Sequence, residues 1–486
     1  MHKFLDHSSL WLFVSMDLHG MTAQCKNLTR LLNRLLDLRK LVHMRRANMY
    51  NAAYKNNSLR RSKTLTAENQ FERLAESATP LYRHPYEVQL EIKHQIMEKA
   101  LRKVANIVHS KRKYCSEKIE KIIRDSDGLI CPFLGIKPAP QTTNYRNKLQ
   151  LLIYQGVDGE HLTIGLIVGR GENRVCVPTD HLKNIKSQHT KIIQSTRDFL
   201  QSPLSRCHGS WKGVLIRSNC WDQAMLVVQV GSKGLTEEVL EKVKCGLMSY
   251  YTPDFTADLG ITSMYLQVTS ENMGICKSQH HLQGDMHIYE QLLGHKFRIS
   301  PNAFFQQNTP AAEVMYSLVH QIVASRQSKM LIDVGCGVGT IGILMSDVVD
   351  NILGIDMVDS AIADAIFNAD LNDVKNASYV VGTARAVSKS LLVKDGVVHD
   401  DTVAVVNPCR NGLNKKAIMR LRGCDAIRQL IYISCKPHGN ALVNFVDLIA
   451  PQSEELPGIP FTPVKAVAVD MFPQTVHSEL IITFER

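Results

Sequence analysis

No CxxC pair and no finger-like Cys/His spacing occurs among the twelve cysteines of this 486-residue chain. A zinc ribbon or an iron–sulfur centre therefore has no visible ligand set. A disulfide framework does not suit a chain of this length either, which points to a reducing, intracellular setting. Long hydrophobic runs are also missing. The longest candidate near the start, LWLFVSM, is far too short to span a bilayer, and without a basic flank and a small-residue cleavage site it is no secretory signal. There is no internal repeat and no low-complexity tract. Acidic residues are in deficit, 46 against 57 Lys and Arg, for a net charge of +11 and a pI near 9.0. That balance favours a polyanionic partner such as a nucleic acid.

What is present is globular in composition, 44% hydrophobic and 21% charged, and long enough for about three domains. Residues 1–70 read as a basic, flexible leader. Between Lys26 and Lys63 eleven Lys or Arg face the single acid Asp37, a pattern that fits a mitochondrial presequence, an RNA-contacting arm or a solvated linker. The compartment is accordingly cytoplasm, nucleus or mitochondrion. Residues 71–126 form a helical segment, with YEVQLEIKHQIMEKALRKVANIV repeating apolar residues at helical spacing. From 127 to 296 short β-type runs such as LQLLIYQ, KGVLIRS and AMLVVQV surround the amphipathic LTEEVLEKVKCGLMSYY; this predicts a central α+β domain. From 297 to 486 strands and helices alternate (KMLIDVG, NILGIDM, ASYVVGT, TVAVVNP, QLIYISC). This predicts a mostly parallel, doubly wound sheet, so the fold class is α/β with a Rossmann-like C-terminal domain.

Within it, LIDVGCGVGTIGILM runs strand, glycine turn, helix. Gly335, Gly337 and Gly339 allow a sharp bend and close approach to a ligand, and Asp356 ends the next strand, where an acid can take two ribose hydroxyls. Gly337, Gly339 and Gly342 also fit the GxGxxG of nicotinamide enzymes, a weak match alone. Asp333 at the head of the loop gives D-x-G-x-G-x-G, which resembles motif I of class I S-adenosylmethionine methyltransferases.

Further patches lie at strand ends: NPCRNG (407–412), ISCKP (433–437) and VDMFPQTVHSE (469–479), with SPNAFFQQN (300–308) just ahead of the domain. A thiol, a carboxylate and a methyl donor in one pocket suit a specific chemistry. The C5 carbon of a pyrimidine is a poor nucleophile until a thiolate adds to C6; a base must afterwards remove the C5 proton so that the thiolate can leave. Cys435 and Glu479 fit these two roles.

Together these patches, with TPLYRHPYEVQL and NYRNK upstream, are similar to the RNA uracil-C5-methyltransferase family, in its eukaryotic tRNA (uracil-5-)-methyltransferase branch. The resemblance covers most of the chain beyond the leader. It implies Cys435 as nucleophile and Glu479 as proton acceptor. It implies that Gln306, Asp333, Gly335, Gly337, Gly339, Asp356 and Asn407 hold S-adenosyl-L-methionine or the target base. It also implies an RNA substrate, mainly the T-loop uridine of tRNA, handled by a monomer with no metal. Tyr145, Arg146, Lys148 and Arg410 are expected to meet the RNA through stacking and phosphate pairing. The chain departs from the family with Asn407-Pro408-Cys409 for Asp-Pro-Pro, Lys436 for the Asn of SCNP, and Arg385-Ala386 where relatives show an acid. Two alternatives stay open: a cytosine-C5 enzyme using Cys409 as a second thiol, and a tRNA-binding or folding protein with a weakened site.

Overall fold

The computed structural model describes residues 65–110, 115–207, 210–270, 275–383, 393–394, 397–398 and 401–486. The expected leader lies almost wholly outside these residues, as do Arg385 and Ala386.

The described chain opens with three helices, α1 (Gln70–Ala78), α2 (Tyr86–Ser110) and α3 (Glu117–Asp125), followed by strand β1 (Phe133–Lys137). The central region holds β2 (Lys148–Tyr154), β3 (Thr163–Val168), β4 (Val175–Val177), helix α4 (Ser187–Gln201), β5 (Trp211–Ser218) and β6 (Ala224–Gly231). Helices α5 (Glu237–Tyr250) and α6 (Pro253–Asp258) then lead to β7 (Ile261–Thr269) and β8 (Cys276–Gly284). A hairpin of β9 (Ile288–Leu292) and β10 (His295–Ile299) leads to α7 (Thr309–Arg326). Next come β11 (Met330–Val334), α8 (Thr340–Leu344), β12 (Asn351–Asp356), α9 (Asp359–Leu371) and β13 (Ala377–Val381). After a short hairpin of β14 (Val393–Lys394) and β15 (Val397–Val398), the chain closes with β16 (Thr402–Val406), α10 (Lys415–Gly423), β17 (Ile427–Ser434), α11 (Ala441–Ile449), β18 (Thr462–Val469) and β19 (Glu479–Glu485).

Two sheets organise these elements. The larger has the order β1-β18-β19-β17-β16-β11-β12-β13, parallel except for β19, which runs antiparallel to both its neighbours. The strand order reverses between β11 and β16, the crevice where open α/β sheets place ligands. The smaller sheet has the order β4-β3-β2-β5-β6-β7-β8. The alternating α/β expectation holds for the larger sheet, and β11, β12, β13, β16 and β17 coincide with the five runs read from the sequence.

The expected domain limits do not follow sheet membership. Strand β1 pairs with β18, so residues just past 127 belong to the larger sheet and not to the central one. The segment 71–126 is helical as expected, and its helices divide between the two sheets. Leu74 and Ala75 of α1 pack in the core of the smaller sheet. Met97, Leu101, Val104 and Val108 of α2 pack under the larger sheet with α11 and β17.

Strand alternation decides which side chains face which layer. Leu430 and Tyr432 join the core beneath α2, whereas Ile431 and Ile433 join the core beneath α7. That second core also contains Leu215, Met225, Val227 and Tyr265 of the smaller sheet. The central sheet thus leans on the same face of the larger sheet that α7 covers. No helix among the described residues is long and apolar enough to cross a membrane.

Candidate active site

The site is assembled at the carboxyl ends of β11, β12, β16 and β17 and at the start of β19. After β11 the chain turns through Gly335, Gly337 and Gly339, with φ of 80°, 54° and 83°, a region that L side chains rarely adopt. A Cβ on Gly339 would also meet the Ala365 Cα at 3.2 Å, so α9 passes too close for any side chain there. The turn is tied to the next strand: Gly337 N–H donates to Asp356 Oδ2 at 3.0 Å, and Val358 N–H donates to Asp356 Oδ1 at 3.0 Å. Each oxygen keeps a second lone pair for a ligand hydroxyl. Asp333 is wholly buried. Its Oδ2 accepts from Gly342 N–H at 3.2 Å, while its Oδ1 has no partner. Burial first, then the charge of Asp356, pushes its pKa up to about 7.

The second half of the site is set by strand register. Ser434 pairs with Leu480 across the antiparallel β17–β19 ladder. The ladder ends there; Cys435 follows β17 in a bend, Glu479 opens β19, and the Glu479 charge reaches the Cys435 thiol. Cys435 is half-buried and Glu479 buried. Burial first and the Glu479 charge second push the Cys435 thiol up to about 11. The positive charge of nearby Arg410 opposes this. Burial raises Glu479 to about 8, again countered by Arg410, and its Oε2 has no partner. A half-buried thiol, a buried carboxyl group and an exposed guanidinium therefore meet in one corner.

Gln306 is buried and acts on the phenol of Tyr316, a residue of α7 that also feels the charges of Asp333 and Glu479. Tyr316 was not singled out by its sequence; within an apolar helix face it resembles any core aromatic. Asn407 ends β16, its N–H donating to Val334 O at 3.4 Å, which joins the nucleophile half to the glycine loop. The loop that delivers Glu479 is pinned from below. Lys93 Nζ donates to Asp470 Oδ1 at 2.5 Å and to Phe472 O at 2.9 Å, with both charged side chains 0% exposed. Gln474 N–H donates to Gln89 Oε1 at 2.6 Å. A signal for this exists in the sequence: Gln89 and Lys93 interrupt the otherwise apolar buried stripe of α2 at i, i+4.

The expected RNA contacts divide. Tyr145 is 2% exposed and its hydroxyl donates to Pro473 O at 2.9 Å. Its ring has no free face for a base, and the expectation of stacking there is corrected: it locks the Glu479 loop to the central region. Arg146 and Lys148 are partly open to solvent, and Arg146 lies close enough to Arg410 for their charges to repel. Among the described residues, His109, Cys115 and Glu120 bring metal-ligand atoms within 4.8 Å of one another. They sit at the α2–α3 junction and not at the strand ends.

Comparison with known proteins decides what this arrangement belongs to. A family model for tRNA (uracil-5-)-methyltransferase matches residues 262–479. A tRNA (uracil-5-)-methyltransferase homolog B of Danio rerio is 39% identical over 431 residues, 85% of this chain and 87% of that protein. A homolog A of Homo sapiens is 36% identical over 441 residues, 88% of this chain and 70% of that protein. The chain belongs to the tRNA (uracil-5-)-methyltransferase family. Its fold agrees with that of the Pyrococcus abyssi tRNA (uracil-54, C5)-methyltransferase solved with S-adenosyl-L-homocysteine, with a TM-score of 0.59, 21% identity, and coverage of 84% of this chain and 85% of that one. Both halves of the site in this methyltransferase, glycine loop and thiol–carboxyl corner, belong to the larger sheet.

Proposed function

We propose that this protein methylates C5 of a uridine in RNA, the T-loop uridine of tRNA, using S-adenosyl-L-methionine and a covalent adduct on Cys435. What supports the reading is that the thiol after β17 and the buried carboxyl group that opens β19 lie close enough for their charges to interact, with Arg410 acting on both.

The residues present fit the methyl donor. Gly335 and Gly337 have nothing closer than 3.5 Å to an added Cβ, leaving room beside the backbone. Asp356 has lone pairs for ribose hydroxyls, and Asp333, buried behind the same glycine turn, accepts from Gly342 N–H and supports it from within. When bound, this group supplies an electrophilic methyl.

The protein's own part is to make and release the nucleophile. Cys435 releases its proton to solvent water and adds through sulfur to C6 of the uracil, and the C5–C6 π pair moves onto C5, which becomes enolate-like. Arg410 stabilises the thiolate, whose desolvation would otherwise hold it as the thiol. After C5 is alkylated, Glu479 takes the C5 proton, and the C6–S bond breaks with return of the electron pair to sulfur. Its raised pKa brings Glu479 near the working pH, where a general base is most effective. The uridine must leave its stack to reach this corner.

Incubation with an unmodified tRNA transcript and the methyl donor, then digestion to nucleosides, tests the reading. It predicts 5-methyluridine. Finding 5-methylcytidine instead assigns Cys409 the role of a second thiol, and saturable tRNA binding without methyl incorporation leaves a binding protein.

A further inference from the structure

Lys436 stands where the family motif carries Asn, and nothing in the proposed mechanism uses it. Its setting is a tight turn. Gly439 N–H donates to Lys436 O at 3.0 Å, with Pro437 at the first corner, where its fixed φ suits such a turn. Pro437 is buried, which leaves Lys436 and His438 on either side of it exposed. The stem of Lys436 folds over this turn, its Cδ lying 3.4 Å from where a Gly439 Cβ would sit.

Helix α2 brings two further cations to this turn. The turn leads into α11, and Met97, Leu101 and Val104 of α2 share a core with Leu442 and Phe445 of α11. On its outer face α2 exposes Lys99 and Lys103, one helical turn apart and therefore side by side. Burial first, then the charges of Lys436, Lys103 and Lys99, lower the pKa of His438, so helix and turn converge there. Among the described residues no carboxylate forms an ion pair with Lys103 or Lys436. Glu98, next to Lys99 in the chain, lies 3.8 Å from His94. This face flanks the core into which Tyr432 points, whereas the central sheet lies on the side of Ile431 and Ile433. Cations crowded on one surface repel each other, and a polyanion relieves that repulsion by meeting several at once. The group ends at the nucleophile, because Lys436 directly follows Cys435.

We propose that the Lys436–Gly439 turn and the Lys99–Lys103 face of α2 form a seat for the sugar–phosphate backbone of the RNA, on the side of the flipped uridine away from the central sheet. Lys436 holds the phosphate nearest the nucleophile, and Lys103 holds one further along the strand. A lysine in place of the family's amide thus gives this chain a phosphate contact that the Asn of the motif cannot make by charge. The inference rests on the RNA-methyltransferase reading, and the test separates the two.

Full-length protein, Lys436→Asn, Lys103→Gln and the double variant are compared for binding of an unmodified tRNA transcript between about 50 and 200 mM salt, the range over which phosphate contacts show. Lys436→Asn restores the residue of the family motif, so the turn should fold as before. Each single variant should weaken binding about tenfold, as for one charge-assisted contact. Each should lower the slope of log affinity against log salt by about one, and the double variant by about two. Lys436→Arg should keep the wild-type slope. Lys375, an exposed lysine just before β13 at the amino end of the strands, supplies the control: Lys375→Gln removes one charge and should leave the slope almost unchanged. Affinity for S-adenosylhomocysteine should be the same in every variant. A slope in the double variant no different from that of Lys375→Gln overturns the seat. Absence of methyl transfer by the wild-type protein overturns the enzymatic reading instead, while the slopes still report whether these lysines meet phosphates.

Discussion

The two halves of the site hold their charges in opposite ways. In the glycine-loop half, carboxylates are met by the main chain: two backbone N–H groups for Asp356 and one for Asp333. In the nucleophile half, Cys435 and Glu479 share one arginine and are otherwise desolvated. In the proposed function the first half is a backbone cradle for the methyl donor, its shape set by glycine dihedrals. The second is an arrangement of ionisable side chains whose protonation is poised by burial, and it is where sensitivity to pH and to single side-chain changes is concentrated.

Cys435→Ala breaks the contrast most completely. Methyl transfer to RNA should fall below detection, while binding of S-adenosylhomocysteine, followed by calorimetry, stays as it was. Glu479→Gln comes next: turnover should drop by roughly 10²–10⁴, the usual worth of a positioned base. In that variant a methylated protein–RNA adduct should accumulate on gels, because addition survives and elimination does not. Asp356→Asn tests the other half. Removing an ionised acceptor should raise the KM for the methyl donor about tenfold to a hundredfold, with little change in the KM for RNA.

The smallest effect concerns stability. Glu479 has a folded pKa raised from 4.5 to about 8. The folded state therefore holds a proton that the unfolded state releases. Its stabilising contribution is full below pH 4.5 and is lost as pH rises through 8. Melting curves should show Glu479→Gln gaining Tm relative to wild type between about pH 6 and 8, with no gain at pH 4. A parallel offset at every pH would instead indicate a packing effect.

Much of the catalytic unit could be read from the sequence because its strands are uniformly apolar and punctuated by unusual residues. All five residues of β11 are buried, as are seven of the eight in β17, and each strand ends in a motif with chemistry. The partition of the chain was harder. Strand β1, FLGIK, looks like part of a Pro- and Gly-rich linker, and only its partner β18, more than 300 residues away, makes it a strand. The polarity of NYRNK predicts an exposed Tyr145, but its ring is buried and its hydroxyl donates to Pro473 O of a distant loop. Strand β8, CKSQHHLQG, carries no alternation because it is an edge strand with one neighbour. In each case a partner remote in sequence decides the outcome.

In the proposed mechanism Cys435, within range of the Glu479 charge, attacks a uracil. A 5-fluorouridine-substituted tRNA tests it most directly, since fluorine at C5 leaves no proton for the base to remove and traps the adduct. With the methyl donor present, intact mass should show a one-to-one protein–RNA adduct in wild type and in Cys409→Ala, and none in Cys435→Ala. An adduct that persists in Cys435→Ala, or none in the wild type under conditions where the tRNA binds, would contradict the account.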